Sequence, residues 1–156
     1  MKGILFLSVL ALSATMLVNL APGAVEKITI RTLAKGAFSG VAEAKQEVIK
    51  TQTAWDKFLA AHHANTKAAP QLPAVDFSKD MVIAATMGRK NSGGYSIEIT
   101  GVETNANRLR VSVRRTSPAP GAIVITALTA PFHFVAVPKS ELKPEFVDAP
   151  AADKAK

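Results

Sequence analysis

The alternation of apolar and polar residues along the chain predicts several β-strands and one helix. Residues 27–33 alternate, which is typical of a half-buried strand. Residues 81–87 are apolar without alternation before Thr86, so a strand buried on both faces is expected there. A short extended segment is predicted at 46–49, and a final strand at 132–137. The pattern places 81–87 at the centre of a sheet.

Residues 95–114 are predicted to form an antiparallel hairpin with a turn at 103–107. Its apolar face would consist of Tyr95, Ile97, Ile99, Leu109, Val111 and Val113. The opposite face of the second strand is basic, and Glu98 is expected to face one of its arginines. These arginines, a candidate basic surface, are Arg108, Arg110 and Arg114.

The clearest helix covers residues 54–64, where large side chains recur at the spacing of one buried face. Thr53 and Asp56 together resemble a capping box at its start. Trp55, the single tryptophan of the chain, lies on the apolar face and is predicted to anchor the core. The residues of that face are Trp55, Phe58, Leu59 and His62.

These elements predict an α+β fold, either an antiparallel sheet or a small β-sandwich, with one amphipathic helix packed on it. The length of 156 residues suits one domain, which we expect at 24–147. Residues 122–128 are apolar and are interpreted as an edge strand. Beyond Pro138 the chain has little apolar surface, so a disordered tail is expected at 148–156.

The N-terminus predicts export. Lys2 precedes a nearly continuous apolar stretch at 3–18, and small residues support cleavage between Gly23 and Ala24. Residues 1–23 are therefore predicted to be a signal peptide of a secreted or periplasmic protein, with an uncleaved membrane anchor as the alternative. Removal of Lys2 lowers the formal net charge from +7 to +6, so the mature chain stays basic.

The stretch 88–95 is the candidate partner-binding loop. Two consecutive glycines allow a positive φ or a close backbone approach, and charged, hydroxyl and aromatic side chains surround them. Its candidate residues are Arg89, Asn91, Ser92, Gly93, Gly94 and Tyr95. Secondary candidates come from two further connections, namely Pro118, Pro120, Gly121, Pro131 and His133.

The sequence lacks the common patterns of catalytic and metal-binding residues. The chain has no cysteine, and its serines do not lie in a nucleophile elbow. We interpret His62 as a residue at the edge of the core, His63 as solvated and His133 as a member of a polar strand face. The sequence therefore predicts no enzyme activity, no metal site and no cofactor.

Three segments together resemble the C-terminal domain of the PrcB family, named for a subunit of a cell-surface protease complex. They read Gly88-Arg89-Lys90-Asn91-Ser92-Gly93-Gly94-Tyr95-Ser96-Ile97, Ser117-Pro118-Ala119-Pro120-Gly121 and Thr129-Ala130-Pro131-Phe132-His133-Phe134-Val135. The resemblance extends from the helix around Trp55 to Val137. Asn91 and Ser92 stand where the family loop has proline and threonine, whereas the glycine pair and the tyrosine are kept.

The resemblance implies an exported, non-catalytic protein that associates with a protease. We therefore expect a protein-binding module, with an envelope protein that binds polyanions or a lipid surface through the basic hairpin as the alternative. Residues 91–95 also partly overlap the loop of chagasin-like cysteine-protease inhibitors, which gives inhibition as a third hypothesis. Nucleic acid is not an expected partner, because a set of stacking aromatics is missing.

Overall fold

The computed structural model describes residues 25–64, 71–105 and 107–150. Within these residues the chain forms eight strands and one helix. In chain order they are β1 (Glu26–Ile28), β2 (Arg31–Gly36), β3 (Ala44–Ile49), α1 (Gln52–His63), β4 (Asp80–Met87), β5 (Ser96–Asn105), β6 (Arg108–Thr116), β7 (Phe132–Pro138) and β8 (Lys143–Asp148).

The strands form two four-stranded sheets, in the orders β1-β5-β6-β8 and β2-β7-β4-β3. Neighbouring strands are antiparallel except β6 and β8, which are parallel. The α+β prediction is confirmed, and of its two forms the structure adopts the sandwich. No helix among the described residues is long and apolar enough to cross a membrane.

Strand β4 lies between β3 and β7 and is buried along its length, as its continuous apolar run predicts. Met81, Ile83 and Ala85 belong to the core between the two sheets. Val82 and Ala84 belong to a second core, on the other side of the strand, together with Trp55 of the helix. Both faces of β4 therefore need apolar residues, which explains why alternation is absent.

Helix α1 covers the outer face of the β2-β7-β4-β3 sheet. Its Phe58 and Trp55 rings meet Phe134 of β7 edge to face, with centroids 5.1 and 5.8 Å apart. Trp55 is buried, as predicted. The predicted cap was wrong by two residues: Thr51 is the N-cap and its side chain accepts from the Ala54 N–H, whereas Thr53 lies inside the helix.

The strand predicted at 27–33 is in fact two strands in different sheets. β1 pairs with β5, and β2 pairs with β7. Thr29 and Ile30 carry the chain from one sheet to the other, and the half-buried Ile30 packs against the core between the sheets. The alternation of apolar residues continues through this crossing, which is why the sequence suggested one strand.

The C-terminal region contains a strand, β8, that the residue pattern did not predict. β8 pairs with β6 from Arg108↔Lys143 to Val113↔Asp148, and Phe146 packs against the core between the sheets. The start of the predicted tail at Asp148 is therefore wrong, since that residue ends a strand. Residues 1–24 and 151–156 lie outside the described residues, and so do the predicted signal peptide and most of the predicted tail.

Candidate functional site

The loop at 88–95 connects β4 of one sheet to β5 of the other. Its start is fixed by the Arg89 N–H, which donates to the Ala42 carbonyl at 2.9 Å. Lys90 and Thr129 exchange two backbone hydrogen bonds, with N···O distances of 2.7 and 2.9 Å. The Thr129 hydroxyl also donates to the Ser92 carbonyl at 2.8 Å. The loop is thus fastened to the chain that precedes β7.

The long connection at 117–131 packs along the same loop. The Gly93 N–H donates to the Ile125 carbonyl at 3.0 Å, and the Met87 N–H donates to the Pro131 carbonyl at 2.8 Å. The connection that contains the secondary candidates Pro118, Pro120, Gly121 and Pro131 therefore lies against this loop, and a Cβ on Gly94 would meet Pro118 at 3.0 Å. We call residues 88–95 and 117–131 together the loop surface.

The two glycines of the loop serve different purposes. Gly94 has a φ of 84°, a conformation that side chains disfavour. A Cβ on Gly93 would lie 2.6 Å from Cγ1 of Ile125, so the side chain of Ile125 occupies the space that any larger residue would need. Glycine is required at Gly94 by backbone conformation and at Gly93 by close packing.

Tyr95 is half-buried and packs against the core between the sheets. The Lys90 ammonium nitrogen lies 5.4 Å from the centre of its ring, which is within the range of a cation–π interaction. Ser92 is also half-buried and its hydroxyl donates to the Gly93 carbonyl. Of the candidate side chains in the loop, Arg89 and Asn91 are the ones that face solvent.

The connection at 122–128 exposes large apolar side chains. Ile123 is fully exposed, and Ile125 and Leu128 are 65% and 64% exposed. The edge strand predicted here was wrong: the described chain pairs these residues with no neighbouring strand. The Ala127 N–H donates to the Ile125 carbonyl at 3.1 Å, and the tight turn that this bond closes is incompatible with regular strand pairing.

The charge of the loop surface has one sign. It contains the cationic Arg89 and Lys90 and no aspartate or glutamate. Neither cation forms an ion pair within the described residues. The exposed apolar side chains therefore share the loop surface with two cations, of which Arg89 is exposed and Lys90 is half-buried against Tyr95.

The stretch that holds this geometry is also the part of the chain that is similar to a known family. Residues 81–138 match the PrcB C-terminal family. The match runs from β4 to the end of β7 and includes the whole loop surface, so the resemblance is confirmed there. It does not reach helix α1. No curated protein and no solved structure matches the chain, and the similarity to chagasin-like inhibitors is not found.

His133 of the PrcB-like segment does not join the loop surface. It is buried, and its Nδ1 accepts from the Ile99 N–H of the opposite sheet at 2.9 Å. Its Nε2 lies 3.1 Å from the Thr32 hydroxyl. Burial, with the nearby Lys35 charge, lowers the pKa of His133 from its usual value. The prediction of a polar strand face was wrong, because that face meets the second sheet.

The basic hairpin of the PrcB-like segment is partly neutralised. Arg108 pairs with Glu145 at 3.3 Å, and Arg114 pairs with Glu98 at 3.6 Å. Glu98 thus faces an arginine, as expected. Arg115 pairs with Asp148. Both Glu145 and Asp148 belong to β8, the strand that the sequence analysis missed, so the outer face is less positive than the hairpin alone.

Outside the PrcB-like segment, the paired histidines lie at the end of α1. His62 is buried and its Nδ1 is 2.8 Å from the Ser39 hydroxyl. Burial, with the adjacent His63, lowers the pKa of His62 to about 4. His63 is half-buried rather than solvated, and its Nε2 has no hydrogen-bond partner in the described chain. No group of three or more metal-ligating side chains converges within the described residues.

Proposed function

We propose that the protein is an exported, non-catalytic binding module that contacts a protein partner, a protease or a protease complex, through the loop surface. The observation that carries this proposal is the exposure of Ile123, Ile125 and Leu128 on a connection that is held by hydrogen bonds to the loop at 88–95. Contiguous exposed apolar side chains on a folded domain typically mark an interaction site.

Burial of these side chains supplies the free energy of binding. Each large aliphatic side chain that moves from water to a protein interface contributes about 1.5–3 kcal/mol. The loop surface is also held in place before binding, since Lys90, Ser92 and Gly93 are tied to Thr129 and Ile125. An ordered surface loses less conformational entropy on association than a flexible one.

The charge of the loop surface indicates the chemistry of its partner. Arg89 and Lys90 favour a partner that places acidic side chains around an apolar centre. Such rim charges mainly increase the association rate and weaken with added salt. We therefore expect a partner with an apolar patch and acidic neighbours.

The non-catalytic role is supported by the side chains of the loop surface. It has no histidine, cysteine, aspartate or glutamate that could act as a general base or a metal ligand. The proposal that the partner is a protease rests on the family match at 81–138. The proposal that the protein is exported rests on the pattern of residues 1–23. Binding of polyanions by the basic hairpin has weaker support, because Arg108 and Arg114 already have acidic partners.

Capture from the envelope fraction of the producing cell tests the proposal. The mature protein is immobilised beside an Ile123→Ser, Ile125→Ser double variant and a Val25→Ser control, whose exposed valine directly precedes β1 and lies outside the loop surface. A protease retained by the native protein and the control, and lost from the double variant, is the expected result. Equal retention by all three folded proteins would exclude the loop surface.

A further inference from the structure

A groove separates strand β3 from helix α1. β3 is the last strand in the order β2-β7-β4-β3, and α1 follows it in the chain. The space between them has a volume of about 350 Å³, which is within the range of ligand sites, roughly 300–1,000 Å³. We call it the β3–α1 groove, and its lining includes Val41, Lys45, Ile49, Lys50, Lys57 and Phe58.

The backbone of β3 can accept another strand. One edge pairs with β4 from Ala44↔Met87 to Ile49↔Val82, and the other edge has no partner strand in the described chain. Alternate residues of a strand direct their N–H and C=O groups to opposite edges. The free edge therefore presents unpaired donors and acceptors, which natural sheets usually cover or protect.

The floor of the groove is apolar. Phe58 and Ile49 are buried, with 7% and 4% of their surface exposed, and contribute to its lining together with the half-buried Val41. Side chains of an added strand alternate between its two faces. Every second side chain of such a strand would face this floor, so apolar residues at alternate positions are favoured.

The charge of the groove is mainly positive. Three lysines and one glutamate line it. Lys45 pairs with Glu47 and Lys50 pairs with Glu141, both at 2.8 Å, whereas Lys57 has no ion pair within the described residues. A carboxylate on the incoming chain would meet Lys57 without displacing an existing partner.

The geometry points to the β3–α1 groove as a site for an extended segment of another protein, which adds to the edge of β3 as a strand. Its alternate residues are apolar, and it carries a carboxylate that reaches Lys57. A lipid occupant is disfavoured because the free backbone groups would lose their hydrogen-bonding partners in hydrocarbon. A second copy is disfavoured because its groove would bring another Lys57 without an ion pair in the described chain, whereas its Glu47 already pairs with Lys45. This site does not depend on the loop surface or on a protease partner.

Peptide titration followed by NMR tests the site. The probe is an acetylated heptapeptide that alternates valine with threonine and has one terminal glutamate. The matched probe carries an N-methyl group at every backbone nitrogen, which removes the donors on both of its edges while the side chains stay the same. The expected result is a set of amide shifts at Ala44–Ile49 and around Lys57, with at least about tenfold weaker binding of the methylated probe, the loss expected from one strong hydrogen bond.

Two variants locate the contact. Ala54→Trp would fill the groove from the exposed first turn of α1, and Lys57→Glu would repel the glutamate. Lys143→Glu makes the same change of charge on β8 of the other sheet and serves as the control. Loss of binding in the first two variants alone supports the proposal. Shifts elsewhere, no shifts at millimolar peptide, equal binding of the methylated probe, or dimerisation through β3 without peptide would each overturn it.

Discussion

The Gly93 N–H donates to the carbonyl of Ile125 at 3.0 Å, and a Cβ on Gly93 would lie 2.6 Å from Cγ1 of the same isoleucine. The contact between Gly93 and Ile125 thus fixes the loop that joins the two sheets against the connection that carries the exposed apolar side chains. The requirement for glycine comes from a residue more than thirty positions further along the chain.

Substitution of Gly93 by alanine is expected to destabilise the fold by about 1–3 kcal/mol, because the added methyl overlaps Cγ1 of Ile125 and the isoleucine side chain must shift. Urea denaturation measures the change. Gly101→Ala is the control, since nothing lies within 4 Å of a Cβ at that position. In the Gly93→Ala, Ile125→Ala double variant part of the loss should return. A Gly93→Ala protein as stable as the control would contradict this packing.

The loop shows what local sequence can and cannot indicate. A glycine pair between two strand-like segments predicts an unusual backbone or a close approach, and Gly94 has the first while Gly93 has the second. The identity of the approaching residue depends on the tertiary fold. Residues 122–128 have the composition of a strand, but the turn from Ile125 to Ala127 and the contact with Gly93 take the place of a ladder.

His133 links the two sheets through its bond with the Ile99 N–H, so its loss should be costly. In His133→Phe a planar aromatic ring stays in the core, but the buried Ile99 N–H has no acceptor, which costs about 1–3 kcal/mol. Thr32→Val removes the hydrogen bond to Nε2 of His133. Because Thr32 is exposed, this substitution should cost less than about 1 kcal/mol. Chemical denaturation of both variants gives the comparison. Similar losses in the two variants would contradict the role of the Ile99 contact.

The error about His133 has a physical origin. Alternation correctly placed it opposite Phe132 and Phe134, which face the helix. A polar residue between apolar ones suggests a solvated face, yet β7 lies inside a sandwich and both its faces are buried. Histidine is tolerated there because Ile99 and Thr32 supply its hydrogen bonds.

β8 was missed for a related reason. Its pairing with β6 is parallel and brings together segments more than thirty residues apart, so no turn signal adjoins it. Its sequence includes a proline and three charged residues, which suggested a solvated tail. The charges are accommodated because Glu145 and Asp148 pair with Arg108 and Arg115 on the neighbouring strand.

The stability of the fold is expected to fall as the pH decreases from 7 to 5. Burial lowers the folded-state pKa of His62 to about 4, whereas the unfolded chain takes up that proton near 6.5. Between these values the unfolded state binds more protons, so the free energy of unfolding decreases by up to about 1.4 kcal/mol per pH unit for this residue. His133, whose pKa is also lowered by burial, acts in the same direction.

Denaturation at pH 7, 6 and 5 measures this dependence. These pH values lie above the range in which most carboxylates become protonated, so the histidines dominate the change. His62→Gln removes the titrating group and should reduce the slope. The His62→Gln, His133→Gln double variant should reduce it further, even if both proteins are less stable at every pH. A slope that is unchanged in the double variant would show that neither histidine is kept neutral by the fold.

Strand β8 is expected to stabilise the fold through its apolar residue rather than through its ion pairs. Phe146 is half-buried and packs against the core between the sheets, so Phe146→Ala should cost about 1–3 kcal/mol, less than a fully buried phenylalanine. Glu145→Ala breaks an exposed pair with Arg108 and should cost less than about 1 kcal/mol. Urea denaturation of the two variants, with hydrogen exchange of the β6 amides, separates the contributions. If Glu145→Ala were the more destabilising, β8 would be held by charge, and the basic hairpin would be available to polyanions only after that strand is released.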